Sequence, residues 1–344
     1  MIRYVELGPD HLSIRRGDRP VLRPGEARVT VVACGLCGTD AHMRHGMVLP
    51  PGTTYPVRPG HEVVGMVTEF SSGDGIGELQ LGDRVVLHPL DSCGSCASCQ
   101  SGNEQRCRAA RMLGIQADGG LADEVAWPAR RLVQAAGVTP TMAALLPDAV
   151  ATAYHAYATA GVAAGEQLIV IGAGGVGTHV LQIARAVDSS VRLTAIVRSE
   201  ATAARLFDLD PDINVIVGLA GAARRIRDSA GLAAAVVDLS GSAEAVSEGL
   251  RTLDRGGRYV LGSIVDEPLS VSMTLAALTT REIRLIGSYS SSIEDLRIVT
   301  WLVQDGLLDL SRSVSLVLPL DDVGHAFDVL DDRPPGMVRI VMTC

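Results

Sequence analysis

The segment GEQLIVIGAGGVGTHVLQIARA, residues 165–186, restricts the architecture more than any other stretch of this chain. Leu168 to Ile171 form a short apolar run of strand type. The pattern G-x-G-x-x-G follows at Gly172, Gly174 and Gly177, at the entry to a helix that carries Val180, Leu181 and Ile183. A bare glycine pattern constrains little, but a strand before it and a helix after it give each glycine a task. Gly172 permits the tight turn, Gly174 lets backbone N–H groups approach a pyrophosphate, and Gly177 allows close helix–strand packing; Gly175 and Val176 complete the cofactor-binding turn. Further strand-like runs, RLTAIV, AAVVDLS and RYVLGS, recur between alanine-rich helical segments, as a doubly wound parallel sheet requires.

That unit accounts for only part of 344 residues, a length that suits about two domains of roughly 150 residues each. A net charge of −9 and no clustered basic patch argue against a nucleic-acid partner, whose phosphates are met by Lys and Arg. No export signal or membrane-spanning run is apparent, so a reducing cytoplasm is expected. In such a compartment the stretch SCGSCASCQSGNEQRC, residues 92–107, reads as a metal loop and not as disulfides. Cys93, Cys96, Cys99 and Cys107 follow C-x2-C-x2-C-x7-C, a spacing that brings four thiolates around one tetrahedral ion. A ferredoxin-type cluster would close with a three-residue gap and a proline, whereas here the last gap is seven and Arg108 follows. A closed, structural zinc is therefore expected.

A second constellation begins at EARVTVVACGLCGTDAH, residues 26–42, and continues in RPGHEVVGMV, residues 58–67. An alternating strand runs into Cys37, Thr39, Asp40 and His42, and His61 with Glu62 enters a second strand through a turn. From the residues alone, His61 is either a core histidine or a ligand. Cys34 and Cys37 form a C-x-x-C, but a redox motif should open a helix in a βαβ unit, and a proline-containing loop follows instead. Downstream, an NAD site places a carboxylate about 20 residues beyond the glycine loop. Val197 stands there, with Arg198 and Ser199 next, so a 2′-phosphate would meet a cation and a donor. NADP(H) is the expected cofactor, NAD(H) being the alternative if Glu200 swings in as a substitute carboxylate.

The order of metal-site cysteine, GHE, four-cysteine loop and GAGGVG closely resembles the zinc-dependent alcohol dehydrogenases of the medium-chain dehydrogenase/reductase superfamily. The likeness extends to GDRVV at 82–86, GGLADEV at 119–125, and PLDDVGHAF and MVRIVM near the end. It implies a discontinuous, β-rich GroES-like catalytic domain, residues 1–149 and 288–344, wrapped around a Rossmann domain at 150–287, with the site in the cleft between them. It also implies two zinc ions per chain. Cys37 and His61 look like ligands of a catalytic zinc, and Asp148, in LLPDAVATAYHAY, falls where the third ligand is drawn. The alternative for Asp148 is a helix N-cap. Thr39 resembles the hydroxyl that holds the substrate oxygen, His42 an outer proton relay, Asp40 the acceptor of the second His61 N–H, and Glu62 a transient zinc ligand. Gly38 stands where many relatives carry a basic residue near the pyrophosphate, and Arg339 is the expected substitute. Val48, His88 and Pro89 are candidates for the pocket wall, and Cys34 and Cys344 have no assigned role. The implied partner is a small alcohol or carbonyl substrate, and the implied assembly a homodimer or homotetramer. A polyol, amino-alcohol or formaldehyde dehydrogenase is the alternative within the superfamily, and a non-catalytic zinc protein the alternative outside it.

Overall fold

The computed structural model describes residues 1–72, 77–266, 268, 269, 271 and 273–344. They divide into two compact units, one of Met1–Ala151, Ser291–Pro334 and Arg339–Cys344, the other of Thr152–Ser290 and Pro335–Val338. No helix among the described residues is long and apolar enough to cross a membrane.

The second unit is built on a six-stranded parallel sheet in the order Asn214–Val217, Arg192–Val197, Gln167–Ile171, Ala233–Asp238, Leu253–Leu261, Arg284–Gly287. Chain order reverses at Gln167–Ile171, the switch point at which such sheets bind ligands. All five residues of that strand are buried, which explains its unbroken apolar run: in a parallel sheet covered on both faces no position faces water. Ile169, Ile171, Ile196, Ile226, Val236, Leu250 and Tyr259 form one apolar cluster against the sheet.

The first unit is mostly antiparallel. Its seven-stranded sheet runs Val314–Pro319, Arg339–Thr343, Glu26–Leu36, Glu62–Phe70, Arg84–Leu87, Leu132–Gln134, with Glu124–Pro128 also on Glu26–Leu36. Residues 340–343 thus lie antiparallel to residues 33–36, although some three hundred positions separate them in the chain. Two two-stranded antiparallel sheets, Ile2–Gly8 with His11–Gly17 and Leu90–Asp91 with Arg111–Met112, complete the unit. Both tryptophans, Trp127 and Trp301, belong to it.

Candidate active site

In the first unit, the strand Glu26–Leu36 leads into Cys37 and the short helix Gly38–Arg44, while the strand Glu62–Phe70 starts just after His61. These two strands pair with Gly35 opposite Glu62, and a side chain at Gly35 would collide with the Glu62 carboxylate. The register therefore sets Cys37 and His61 side by side. Asp148 reaches them from a π-helical turn, Leu146–Val150, and sits inside that turn and not at its N-cap, which is Leu145. Its Oδ2 lies 3.4 Å from Cys37 Sγ and 3.5 Å from His61 Nε2. Ligand atoms of Cys37, His61, Glu62 and Asp148 all fall within 4.8 Å of one another.

The chemistry of this set suits a divalent zinc: one thiol, one imidazole and carboxylate oxygens, with both His61 ring nitrogens buried and without a hydrogen bond among the described residues. Burial alone would push the imidazole pKa down, yet Asp40, Asp148 and Cys37 together lift it well above its ordinary value. So much negative charge focused on one point is what a dication neutralises. Thr39 Oγ1 stands 3.8 Å from Cys37 Sγ, half-buried at the edge of the cluster, and His42 is exposed on the same helix.

One expectation needs correction, and one residue has a partner that the sequence does not reveal. Asp40 Oδ1 is 3.9 Å from His61 Nδ1, an ion-pair distance and too long for the expected hydrogen bond. Its other oxygen accepts Cys37 N–H at 2.9 Å in a capping box, which fixes the carboxylate's orientation. Arg339, expected at the cofactor, is buried within the first unit, where its Nη2 donates to Glu62 Oε1. Of the pocket candidates, Val48 is exposed whereas His88 and Pro89 are buried. His88 Nδ1 and Nε2 face the carbonyl oxygens of Leu90 and Ser291 at 3.2 and 3.1 Å.

The four clustered thiols converge separately. Sulfur separations are 3.9 Å for Cys93–Cys99 and 3.5 Å for both Cys96–Cys99 and Cys93–Cys107. A tetrahedral zinc with Zn–S of about 2.3 Å asks for edges of about 3.8 Å. Backbone N–H groups of Ser95 and Cys96 pull the Cys93 thiol down to about 6, toward the thiolate a metal needs. Glu104, in the same loop, accepts Arg131 Nη1 at 2.7 Å and Ile293 N–H at 2.6 Å, tying the loop to the start of the helix Ile293–Gln304.

In the second unit the glycine loop has the form a dinucleotide needs. Gly172 has φ +85°, and a Cβ there would come within 2.9 Å of Ser240 N. A Cβ on Gly177 would overlap the Gly172 carbonyl oxygen. At Gly174 nothing lies within 4 Å, so its backbone is open to an approaching phosphate. Gly175 and Val176 close the turn ahead of the helix Gly177–Val187. Val197, buried, ends the adjacent strand. Arg198 follows it, exposed and without a hydrogen bond or ion pair among the described residues, and Ser199 Oγ caps the next helix by accepting Thr202 N–H at 3.2 Å. Sequence reasoning missed Arg205, whose Nη2 donates to Ala173 O and Thr178 Oγ1 at 2.9 and 3.0 Å and so fastens its helix to the loop. Its sequence position resembles that of any solvated helical arginine.

Residues 23–137 match the alcohol dehydrogenase GroES-like domain and residues 175–304 the zinc-binding dehydrogenase domain. An NAD-dependent alcohol dehydrogenase of Sulfurisphaera tokodaii is 31% identical over 343 residues, covering 96% of each chain. A 2-dehydro-3-deoxy-L-galactonate 5-dehydrogenase of Pseudoalteromonas atlantica is 28% identical, over 97% of this chain and 96% of its own. Among solved structures, a zinc-binding dehydrogenase from Sinorhizobium meliloti bound to NADP superposes with a TM-score of 0.87 at 28% identity, covering 100% of this chain and 99% of that one. With these matches laid over a thiol–imidazole–carboxylate cluster and an open glycine loop, the chain belongs to the zinc-dependent alcohol dehydrogenases of the medium-chain dehydrogenase/reductase superfamily, oxidoreductases that pass a hydride between an alcohol or its carbonyl and a nicotinamide cofactor.

Proposed function

We propose that this dehydrogenase carries two zinc ions per chain, prefers NADP(H), and works in the cytoplasm as a homodimer or homotetramer. The observation that carries the catalytic reading is the convergence of Cys37, His61 and Asp148 beside Thr39. Zinc bound there would act as a Lewis acid toward the substrate oxygen, while the nicotinamide gives or takes the hydride. Thr39 then orients that oxygen and takes or returns its proton. His42, open to solvent on the same helix, is the outward relay, since an imidazole exchanges protons near neutrality. Glu62, held by Arg339 through Oε1, offers a carboxylate oxygen to the cluster as a spare ligand. Cys93, Cys96, Cys99 and Cys107 hold the structural ion.

The cofactor preference rests on Arg198. No carboxylate ends the strand Arg192–Val197 to repel a 2′-phosphate, and the Arg198 guanidinium, with no partner among the described residues, follows directly. The relatives differ here, one being NAD-dependent by name and another structure being bound to NADP. Reduced thiols clustered for metal favour the cytoplasm. The assembly is supported by the strand Arg284–Gly287, which among the described residues pairs on one side only and exposes Leu285. The deciding experiment is kcat/KM for NADPH and NADH in wild type and R198A. NADPH should be preferred and should lose far more in the variant; a wild-type preference for NADH, or equal losses, overturns the NADP reading.

A further inference from the structure

A cavity of about 420 Å³ lies wholly inside the second unit, at the end of the parallel sheet where its strands begin. Gln167 and Arg192 open the strands Gln167–Ile171 and Arg192–Val197, and Asp254, Arg255 and Arg258 come from the early part of Leu253–Leu261. Dinucleotides bind beyond the opposite ends of such strands. Five residues at about 3.3 Å each put the cavity roughly 16 Å from Gly172, so the cofactor does not account for it. Its size falls within the range of about 300–1,000 Å³ that small-molecule sites occupy. One wall is made by a break in sheet register. Ala233 pairs with Leu253 and Ala235 with Arg258, so residues 254–257 loop out opposite Ala234, with Gly256 at φ 72°.

Three guanidiniums line the cavity, each fixed by a carbonyl at the C-terminal end of a helix. Arg192 Nη1 donates to Ala230 O at 3.0 Å, Arg255 Nη1 to Thr280 O at 3.2 Å, and Arg258 Nε to Ala160 O at 2.6 Å. These bonds orient the side chains and leave donors over. Arg258 also pairs with Glu166 at 2.8 Å, whereas the guanidiniums of Arg192 and Arg255 have no carboxylate partner among the described residues, in a chain of net charge −9. Gln167 supplies a second, independent sign. It is 1% exposed in an otherwise apolar strand, its Nε2 reaches Thr194 Oγ1 at 3.4 Å, and its Oε1 is buried with no hydrogen-bond partner among the described residues. A buried acceptor left unmet is costly, and a hydroxyl of a ligand would meet it.

We propose that this cavity binds a small hydroxylated anion, its phosphate or carboxylate head on Arg192 and Arg255 and its hydroxyls on Asp254 and Gln167 Oε1. The planar forks of the two arginines match either head bidentately. A bare inorganic anion would fill only part of the volume and leave Oε1 unmet. The bonds to helix ends hold the arginines in place before the ligand arrives, so binding loses little side-chain entropy. The occupant is a ligand additional to substrate and dinucleotide, and its site uses neither the metal cluster nor the glycine loop.

The test is isothermal titration of the metal-replete full chain, without dinucleotide and at fixed ionic strength, with glucose 6-phosphate, gluconate and inorganic phosphate. At least one of the two hydroxylated anions should saturate one site per chain and bind more tightly than inorganic phosphate; which of them does so tells a phosphate head from a carboxylate one. R192A/R255A should weaken that binding by about tenfold or more. R192K/R255K, which keeps both charges and guards against a double variant that fails to fold, should lie between. Q167L should weaken the hydroxylated anion but leave inorganic phosphate unchanged. In calorimetric melting the anion should raise the Tm of wild type and not of R192A/R255A. No saturable binding of any probe overturns the proposal, and so does binding that R192A/R255A leaves intact. Binding that NADPH displaces also overturns it and assigns the anion to the glycine loop. Tightest binding of inorganic phosphate, with no loss of the hydroxylated anion in Q167L, overturns it as well and leaves only a patch of surface charge.

Discussion

Replacing Arg339 with alanine should be among the most damaging changes outside the metal ligands. Glu62 is fully buried and Arg339 is 6% exposed, so neither charge has water to fall back on. The two form an ion pair across strands separated widely in the chain. R339A leaves the Glu62 carboxylate stranded, and removing one partner of a buried pair costs about 3–5 kcal/mol. In a unit of this size each kcal/mol lowers Tm by roughly 2–4 °C, for a total fall of about 10 °C. Tryptophan fluorescence reads the right half of the molecule, because Trp127 and Trp301 both lie in the first unit. The double variant E62Q/R339M removes both charges and should recover at least half of the loss. Chelating metal from the Cys37, His61, Glu62 and Asp148 cluster should widen the gap between R339A and wild type, since a cation beside the Glu62 carboxylate would offset part of the stranded charge. A fall in R339A under about 2 °C, or a double variant as damaged as the single, would refute the claim that charge compensation is what Arg339 supplies.

Metal analysis of replete protein should find two zinc ions per chain, and chelation should remove activity before it unfolds the protein, since the four-thiolate site is closed; a single ion would contradict this. D148A should lose one zinc and turnover while keeping the other zinc and the fold, and a variant that retains both ions and near-normal turnover would rule out Asp148 as a ligand. G174A should fold like wild type but bind dinucleotide poorly, because its Cβ meets no protein atom and only obstructs a phosphate, whereas G177A should lower Tm as well; equal melting of the two variants contradicts that division. His88 is held below its ordinary pKa, chiefly by burial, with Arg131 adding to the effect and Glu104 opposing it. The unfolded chain then takes up the proton first, so this stabilisation is complete above about pH 6.5 and is lost as pH falls through that value toward the folded pKa. H88Q should flatten the acid limb of a Tm-against-pH curve, and an unchanged slope there counts against it.

The features legible in the sequence are those whose physics is local. The turn at Gly172, Gly174 and Gly177 is written in consecutive residues, and so is the buried run Leu168–Ile171 that feeds it. Cys93 to Cys107 is likewise one short loop. Cys37 and His61 became a pair only through the resemblance, because their juxtaposition depends on the register of Gly35 against Glu62 across two strands. Asp148 was doubly ambiguous: a proline before it and alanines after it suit a cap, and the π-helical turn that aims it inward leaves no periodic trace. The resemblance offers Arg339 as the substitute for a basic residue missing at Gly38; its bond to the Glu62 carboxylate, 277 positions away, has no local trace. Arg205 lies inside the helix Glu200–Leu209, where nothing in the neighbouring residues marks its reach back to the glycine loop.

The strand Arg339–Thr343 has a consequence for biosynthesis. It lies inside the first unit's sheet, between Val314–Pro319 and Glu26–Leu36, and it carries the guanidinium that neutralises Glu62. A nascent chain emerging from the ribosome therefore exposes residues 33–36 as an unpaired edge and Glu62 without its counterion throughout the translation of the second unit. Thr152–Ser290 is continuous and already holds all six strands of its own sheet, so it is able to close first. The first unit must wait, half-finished, for the strand that joins Val314–Pro319 to Glu26–Leu36. Ribosomes stalled before residue 339 should carry a protease-resistant second unit on a protease-sensitive first one, and that interval is when the chain most needs chaperone cover.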